Sequence, residues 1–384
     1  MDAKIVGWGH TPFGALDQSF EELIQTAAAE AIEMACVGPE EIDAIWLGHF
    51  NSGMVPDAFA SSLVLGLDDR LRFTPATRVE NACASGSAAV YAARDAIRAG
   101  SARTVLVIGA EKMTSLDTKG VTAALAGASY QTEEAGVSFP QIFARIASGY
   151  FQAYGDQAET LARIAVKNHA NAQANPLAQM RRDVSFEFCN TPSEKNPVIA
   201  PPLRLTDCSL ISDGAAALVM VAEDRAGFEC AAGFRAAFQV NDYLPMSRRD
   251  MTRLAGAARA FEMAFEEAGI GVNDLDLAEV HDCFTIAELM IYEAMGLAPQ
   301  GQGSRAVADG TVMAGGALPV NLSGGLKAKG HPVGATGVSM HVLAAQQVTG
   351  QAGPLQKPGA ELAGVFNMGG SGVANYCSIL EARS

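Results

Sequence analysis

Hydrophobic and polar residues recur near the start of the chain with the spacing of a helix that buries one face. Ser19 and Glu22 have the spacing of a capping box, and apolar residues then recur every three or four positions until Gly38. We therefore predict a helix over 20–36 that ends at this glycine. The apolar run at 42–47 predicts a buried strand directly after it, so the chain begins as an α/β unit.

Two later segments repeat this organisation. The residues that follow Glu33 resemble, in order, those that follow Glu266, where the pattern again runs from a helix through glycine to a strand. The segment 83–86 opens an alanine-rich helix, and the similar segment 334–337 opens another. A glycine and then a strand-like apolar run follow both helices. These similarities predict a duplicated α/β unit.

The duplication divides the chain into two predicted halves, 1–225 and 226–384. Residues from about 112 to 208 match nothing in the second half, and their stretches with Pro, Asn and Gln indicate an inserted loop region. Insertions of this length in a compact domain are typical of segments that cover a substrate.

Acidic residues outnumber basic ones, and the formal net charge is -15. This charge argues against binding to nucleic acid or to an anionic membrane surface, since both attract clustered Lys and Arg. The chain has no signal-peptide pattern and no apolar run of about 18 residues, so we expect a cytoplasmic protein without membrane contact. The seven cysteines lie far apart, which favours reduced thiols and disfavours a metal site.

Cys83 lies at a predicted junction between the strand-like run 76–79 and a helix over roughly 84–99. At a helix start the aligned peptide dipoles favour the thiolate, which is the form that attacks carbonyl carbons. The small neighbours Ala82 and Ala84 leave room for a substrate. By itself, this position favours a small cysteine buried in the core, because free cysteine is among the most buried residue types.

Two histidines occupy comparable junctions. His331 precedes the second duplicated helix, so it would meet Cys83 if the two halves face each other, and a neutral imidazole there would accept the thiol proton. His281 and Cys283 follow the strand-like run 275–280, at the strand end that faces the site in α/β folds. A turn histidine beside proline and a buried histidine bonded to backbone are the alternative interpretations.

A glycine-rich turn closes the last duplicated strand. Residues 367–372 read Asn-Met-Gly-Gly-Ser-Gly after the strand-like run 362–366. Backbone amides in such a turn can bind a developing oxyanion. Glycine turns are common, so this segment indicates a site only together with the others.

Four segments, in this order and across nearly the whole chain, resemble the active-site loops of the thiolase family. They read Asn-Ala-Cys-Ala-Ser-Gly around Cys83, His-Asp-Cys-Phe at 281–284, Gly-His-Pro-Val-Gly-Ala-Thr-Gly around His331, and the glycine turn at 367–372. The resemblance implies an α/β thiolase-like fold of two duplicated βαβαβαββ halves. These halves would be layered α-β-α-β-α, with the inserted loop region in the first half.

By this resemblance, Cys83 carries the acyl group and His331 activates it. His281 with His331 would line an oxyanion hole for the enolate, and the amides of Cys83 and Gly369 would form a second oxyanion hole. Most thiolases place a cysteine acid/base at the start of the glycine turn, where this sequence has asparagine. The His-Asp-Cys-Phe segment is similar to that of the sterol-carrier-protein-2-like thiolases, so the acid/base role falls to Cys283.

The resemblance also implies acyl-CoA substrates and no permanently bound cofactor. Several basic residues are available for the phosphates of coenzyme A, although surface solvation is an alternative role for each: Arg181, Arg182, Lys195, Arg204, Lys327 and Lys329. Our predicted CoA contacts are Arg204, Ser323 and Lys329, and we predict no metal ligands.

The predicted function is a thiolase that joins or cleaves carbon-carbon bonds in 3-ketoacyl-CoA, with the direction left open. The first alternative is a thiolase-like acyltransferase or retro-aldolase that acts with a small acyl-CoA-binding partner protein. The second alternative is an acyl-CoA-binding scaffold without catalysis. We also expect a homodimer or homotetramer, because the family usually forms such assemblies.

Overall fold

The computed structural model describes residues 2–383. Its strands are β1 (Ala3–His10), β2 (Ala44–Gly48), β3 (Ala76–Val79), β4 (Thr104–Glu111), β5 (Val198–Ala200), β6 (Leu203–Arg204), β7 (Gly214–Ala222), β8 (Ala231–Asn241), β9 (Leu277–Val280), β10 (Leu362–Gly369) and β11 (Ala374–Arg383). Its helices are α1 (Phe20–Ala35), α2 (Ser85–Arg98), α3 (Thr118–Ala126), α4 (Gln131–Glu134), α5 (Phe139–Tyr154), α6 (Ala158–Ala172), α7 (Phe186–Asn190), α8 (Ala255–Ala268), α9 (Thr285–Ala294), α10 (Ser304–Ala308), α11 (Gly325–Ala328) and α12 (Val333–Val348).

Hydrogen bonds join nine of these strands into one mixed sheet. From the middle outward, one side runs β1, β7, β4, β2 and β3, and the other runs β8, β11, β10 and β9. The first four strands on each side occur in the same chain order, as expected for a duplicated unit. A single parallel bridge between Ala278 of β9 and Val320 lies where the first half has β3.

Helices cover the sheet in three layers. α1 packs on β1, β4 and β7 at one outer face, and α8 packs on β8 and β11 at the other. α2 and α12 contact each other between the halves, and α12 contacts strands of both. Because neighbours surround it, α12 is buried on nearly every residue. This is the predicted α-β-α-β-α layering.

The order of elements within each half departs from strict βαβαβαββ alternation. Between β2 and β3 the chain forms only the 3-10 segments Ala60–Leu67 and Asp69–Leu71. Gly53 and Pro56 precede these segments, and both residue types disfavour a regular helix. In the second half, α9, α10 and α11 lie between β9 and α12 instead of one helix.

The predicted first helix corresponds to α1, and Ser19 and Glu22 form the expected capping box. The helix ends earlier than predicted, because Cys36 adopts a left-handed conformation with φ 51° and donates its amide to the carbonyl of Glu33. Gly38, with φ -72°, has no such role. The prediction that the helix ends at Gly38 was therefore wrong, because Cys36 ends it.

The predicted insertion contains α3 to α7 and the β5–β6 pair, which forms a separate two-stranded ribbon. The predicted division after residue 225 falls in the loop between β7 and β8. That division stays a prediction. Within residues 2–383, no helix has both the length and the apolar character needed to cross a bilayer.

Candidate active site

The loop between β3 and α2 presents Cys83. Ala82 has a φ of 51°, a left-handed conformation that costs a non-glycine residue roughly 1–2 kcal/mol. The turn immediately before the thiol is therefore strained, as is common at functional sites. Cys83 is half-buried and lies just ahead of the first turn of α2.

The Cys83 thiol is neutral in the resting site. Burial raises its pKa to about 12, and the Glu111 carboxylate adds to the increase. The backbone amides of Gly370 and of Cys83 itself donate to the sulfur and oppose this increase. Burial therefore outweighs the thiolate preference that we expected from the helix start. The thiol needs a base in contact with it to become a nucleophile.

His331, in the loop between α11 and α12, is buried and oriented as a base. Its Nδ1 lies 2.7 Å from Oγ1 of Thr336, and that hydroxyl donates to the carbonyl of Pro332 at 3.0 Å. Because the hydroxyl hydrogen is already used, Nδ1 of His331 is the donor to Thr336, and Nε2 carries the lone pair. Burial, followed by the charge of Lys329, lowers the pKa of His331 to about 3, so the imidazole is neutral.

His281 follows β9 directly and is fully buried. Its ring lies 5.1 Å from that of His331, at an interplanar angle of 83°. Nδ1 of His281 lies 2.8 Å from Nδ2 of Asn367. Its Nε2 has no hydrogen-bond partner among the described residues. Burial, and next the neighbouring His331, lower the pKa of His281 well below its ordinary value.

These side chains converge on one point. The Sγ of Cys83 and one ring nitrogen each of His281 and His331 lie within 4.8 Å of one another. Cys283 lines the same cavity. Burial, and then repulsion from Cys83 when both thiols are ionised, raise the pKa of Cys283 well above the ordinary value. A nucleophile, a neutral base, an unpartnered imidazole nitrogen and a second thiol thus meet where an acyl group could be transferred.

The glycine turn contributes two residues with different contacts. Gly370, with φ 61°, lines the cavity and directs its amide at the Cys83 sulfur. At Gly369, an added Cβ would lie 2.3 Å from the carbonyl oxygen of Asn81, so only glycine lets the two loops approach. The amide contact to the sulfur belongs to Gly370, and the oxyanion role of Gly369 stays a prediction.

A cavity of about 270 Å³ opens beside this cluster. The insertion supplies much of its wall through α3, the start of α5 and the loop that follows β6, including Val121, Leu125 and Phe139. No Lys, Arg, Asp or Glu is among the described residues that line it. A second cavity of about 500 Å³, between α8 and α9, contains none of the predicted catalytic residues. The smaller cavity is therefore the better candidate for the substrate site, because Cys83, Cys283 and His331 line it.

Arg204 has partners inside the protein, and its contact with CoA stays a prediction. This side chain is buried and donates to the carboxylate of Asp207 at 2.9 Å and to the carbonyl of Ala158 at 2.8 Å. Its guanidinium holds the insertion together. A sequence does not reveal that an arginine has partners close by in the fold.

Ser323 and Lys329 are also buried, and their contact with CoA likewise stays a prediction. The hydroxyl of Ser323 donates to the carboxylate of Glu279 at 2.5 Å, and the ammonium of Lys329 donates to Oγ of Ser339 at 2.9 Å. Lys327 is buried too, and the remaining basic candidates are exposed but do not line the cavity: Arg181, Arg182 and Lys195.

Asp282 makes contacts between two site loops that the sequence did not predict. Its carboxylate accepts from the amides of Leu326 at 2.6 Å and Lys327 at 3.1 Å. It thereby ties the loop that carries His281 to α11, which leads to His331. Burial, with the Glu288 carboxylate second, raises the pKa of Asp282 above its ordinary value. The available signal in the sequence was an acidic residue between His281 and Cys283. The amides that it binds are distant in sequence, so this contact was not predictable.

Family models match both parts of the chain. The model described as the thiolase N-terminal domain matches residues 3–224, and the one described as thiolase C-terminal domain-like matches residues 239–382. The chain therefore belongs to the thiolase family. It is an acyltransferase with thiolase function, because named acetyl-CoA acetyltransferases are among its full-length relatives.

One such relative is the acetyl-CoA acetyltransferase of Methanothermobacter thermautotrophicus, which is 40% identical over 97% of both chains. The benzoylsuccinyl-CoA thiolase subunit BbsB of Thauera aromatica is 33% identical over 90% of this chain and 89% of its own. Human sterol carrier protein 2 is 32% identical over 95% of this chain and 69% of its own.

Solved structures have the same fold. The Ltp2-ChsH2(DUF35) aldolase superposes with a TM-score of 0.83 at 25% identity, covering 99% of this chain and 98% of that chain. The acetyl-CoA acetyltransferase of Syntrophomonas wolfei has a TM-score of 0.75 at 20% identity, with the same coverage of both chains.

Proposed function

We propose that this chain is a thiolase of the sterol-carrier-protein-2-like subgroup, in which Cys83 carries an acyl group as a thioester. It would catalyse Claisen condensation of acyl-CoA units or the reverse thiolysis of 3-ketoacyl-CoA. The observation that carries the proposal is the meeting of the Cys83 sulfur with ring nitrogens of His281 and His331 within 4.8 Å. The cysteine in the His-Asp-Cys-Phe segment supports the subgroup.

The first step is transfer of the acyl group to Cys83. Nε2 of His331 takes the thiol proton, and the resulting thiolate attacks the thioester carbonyl of acyl-CoA. The amides of Cys83 and Gly369 would stabilise the oxyanion on the carbon that becomes tetrahedral, while the amide of Gly370 donates toward the sulfur. CoA leaves as its thiol after it takes a proton from Cys283, which remains as a thiolate.

The second step forms the carbon-carbon bond. The Cys283 thiolate removes the α-proton of a second acyl-CoA, and its burial makes it a strong base. Protonated His331 and the unpartnered nitrogen of His281 then face the enolate oxygen. The enolate carbon attacks the thioester on Cys83, which leaves as a thiolate and recovers its proton from His331.

Replacement of Cys283 tests whether the two cysteines act in separate steps. We expect Cys283→Ala to form the acyl-enzyme on Cys83 but to lose both condensation and thiolysis of acetoacetyl-CoA. Intact mass after mixing with acetyl-CoA measures the first property, and the absorbance of acetoacetyl-CoA measures the second. A variant that condensed acetyl-CoA at the normal rate would disprove the role of Cys283. A wild-type protein that gained no acetyl group would favour the scaffold alternative.

The alternative function that we propose requires a small acyl-CoA-binding partner protein. No Lys or Arg is among the described residues that line the cavity, and the predicted CoA contacts are buried. The phosphates of CoA would thus need cations from elsewhere. A structural neighbour is a complex of an aldolase with a DUF35 protein, which also supports the alternative of acyl transfer or retro-aldol cleavage with a partner. Thiolysis by the purified chain alone, across 3-ketoacyl-CoAs of rising length, would exclude the need for a partner.

We further propose a cytoplasmic homodimer across β3, with a homotetramer as a pair of such dimers and no resident cofactor. β3 is an edge strand that pairs only with β2 in the described sheet. Near it, Phe59 and Phe73 are 83% and 85% exposed. Open strand edges and exposed aromatic residues favour association. Light scattering should give a dimer or tetramer for the wild type and monomers after Phe73→Asp.

A further inference from the structure

Asn367 occupies the position where most thiolases are expected to have a cysteine, and it is fully buried at the end of β10. Its Nδ2 lies 3.2 Å from the carbonyl oxygen of Cys83. A carbonyl can only accept, so the atom that faces it must be the amide nitrogen. Oδ1 on the other side accepts from the hydroxyl of Ser87 at 2.8 Å. These two contacts fix the orientation of the amide.

The same amide nitrogen faces His281. Nδ2 of Asn367 lies 2.8 Å from Nδ1 of His281, and because Nδ2 has only hydrogens to offer, Nδ1 must be the acceptor. A neutral imidazole carries one hydrogen, which therefore lies on Nε2. Burial keeps this ring neutral by lowering its pKa. The nitrogen without a partner thus carries a hydrogen into the cluster.

We propose that Asn367 is a positioning residue that fixes His281 as the Nε2–H tautomer, so that His281 acts only as a hydrogen-bond donor. The inference rests on the proposed function, in which that donor faces the enolate oxygen. It also explains how two histidines beside one thiol keep separate roles. Only His331 presents a lone pair to Cys83.

The same assignment predicts how the cluster responds to metal ions. One thiolate and two imidazoles within 4.8 Å form a donor set that zinc and cobalt accept. Metal coordination needs a lone pair on each ring nitrogen, but the tautomer set by Asn367 directs a hydrogen from His281 at the ion. Aspartate at position 367 would have nearly the same shape and would accept from Nδ1 instead. Nε2 would then offer its lone pair, supported by a carboxylate behind the ring.

The experiment compares Co²⁺ binding by the wild type and Asn367→Asp, with the cobalt-thiolate absorption band as the signal. We expect the variant to bind Co²⁺ at least about tenfold more tightly. Cys83→Ala in the variant background should abolish the band, which would place the ion at this cluster. Ser87→Ala removes the contact at Oδ1 but keeps the Cys83 carbonyl, which by itself requires Nδ2 on its side. This matched control should therefore bind Co²⁺ like the wild type. Equal affinity of wild type and Asn367→Asp would overturn the proposal.

Two further measurements keep the outcomes distinct. In the wild type with ¹⁵N-labelled histidine, couplings in the ring should assign the hydrogen of His281 to Nε2, and a hydrogen on Nδ1 would overturn the proposal even if Asn367→Asp did not fold. Asn367→Asp should also condense acetyl-CoA about 10²-fold more slowly while it still acylates Cys83. If wild type showed no thiolysis while the variant gained cobalt, the proposed function would fail and the tautomer assignment would stand.

Discussion

His281 and His331 lie edge to face at 5.1 Å, and both are buried and neutral. They differ in what faces Nδ1. Thr336 has already donated its hydroxyl hydrogen and accepts from His331, whereas the amide of Asn367 donates to His281. The first ring therefore presents a lone pair to the cluster, and the second presents a hydrogen. Two identical residue types become a base and a donor through their neighbours alone.

The largest effect should come from removal of the base. His331→Ala should slow acylation of Cys83 by about 10³-fold, because the thiol has a pKa of about 12 and ionises rarely without a base. Rapid quench with acetyl-CoA and intact mass would measure the rate. Acylation at the wild-type rate would show that His331 is not the base, and the comparison between the histidines would fail.

Removal of the donor should affect a different step. His281→Ala should slow condensation by about 10²-fold through the loss of one hydrogen bond to the enolate oxygen. Acylation should change little, so the ratio of the two rates separates this variant from His331→Ala. If His281→Ala slowed acylation and condensation equally, both rings would serve the same step.

A smaller effect should follow replacement of the group that orients His331. Thr336→Val keeps the shape of the side chain but removes the acceptor for Nδ1–H, and we expect acylation to fall roughly tenfold. The KM for acetyl-CoA should stay unchanged, because Thr336 does not line the cavity. Thr336→Ser, which keeps the hydroxyl, should acylate Cys83 at close to the wild-type rate. Normal acylation by Thr336→Val would show that the hydroxyl does not orient His331.

The smallest effect concerns pH. Lys329 adds to the low pKa of His331, after burial, so Lys329→Met should raise that pKa by roughly one unit or less. His331 is a base only above its pKa. As the pH is lowered, the variant should therefore lose acylation at a higher pH than the wild type does. The rate of Cys83 acylation against pH measures this shift. Ser339→Ala, which removes the contact of Lys329 but keeps its charge, is the control.

Motifs predicted the residues that meet in space, because each lies at the end of a strand or the start of a helix. One cavity is lined by Cys83, Cys283 and His331. His281 lies beside it, in the cluster with Cys83 and His331. Helical and strand periodicity likewise predicted α1 and α2, and the similarity between segments predicted the duplicated unit. These features depend on local pattern, which a sequence carries.

Contacts between distant segments were not predictable in the same way. Arg204 and Lys329 have the residue types that bind phosphate, but the fold buries them. The high pKa of Cys83 follows from burial and from Glu111, neither of which its helix-start position indicates. Asn367 was visible only as a departure from the family pattern, and its contact with His281 spans 86 residues.

The most direct test of the central claim is peptide mapping of the protein after it is mixed with acetyl-CoA and quenched in acid. We predict one acetyl group, on the peptide that carries Cys83 and not on the peptide that carries Cys283. This acetyl group should be lost when free coenzyme A is added before the quench, because its thiol accepts the acetyl group from Cys83. Acetylation of Cys283 in place of Cys83, or of neither cysteine, would contradict the account.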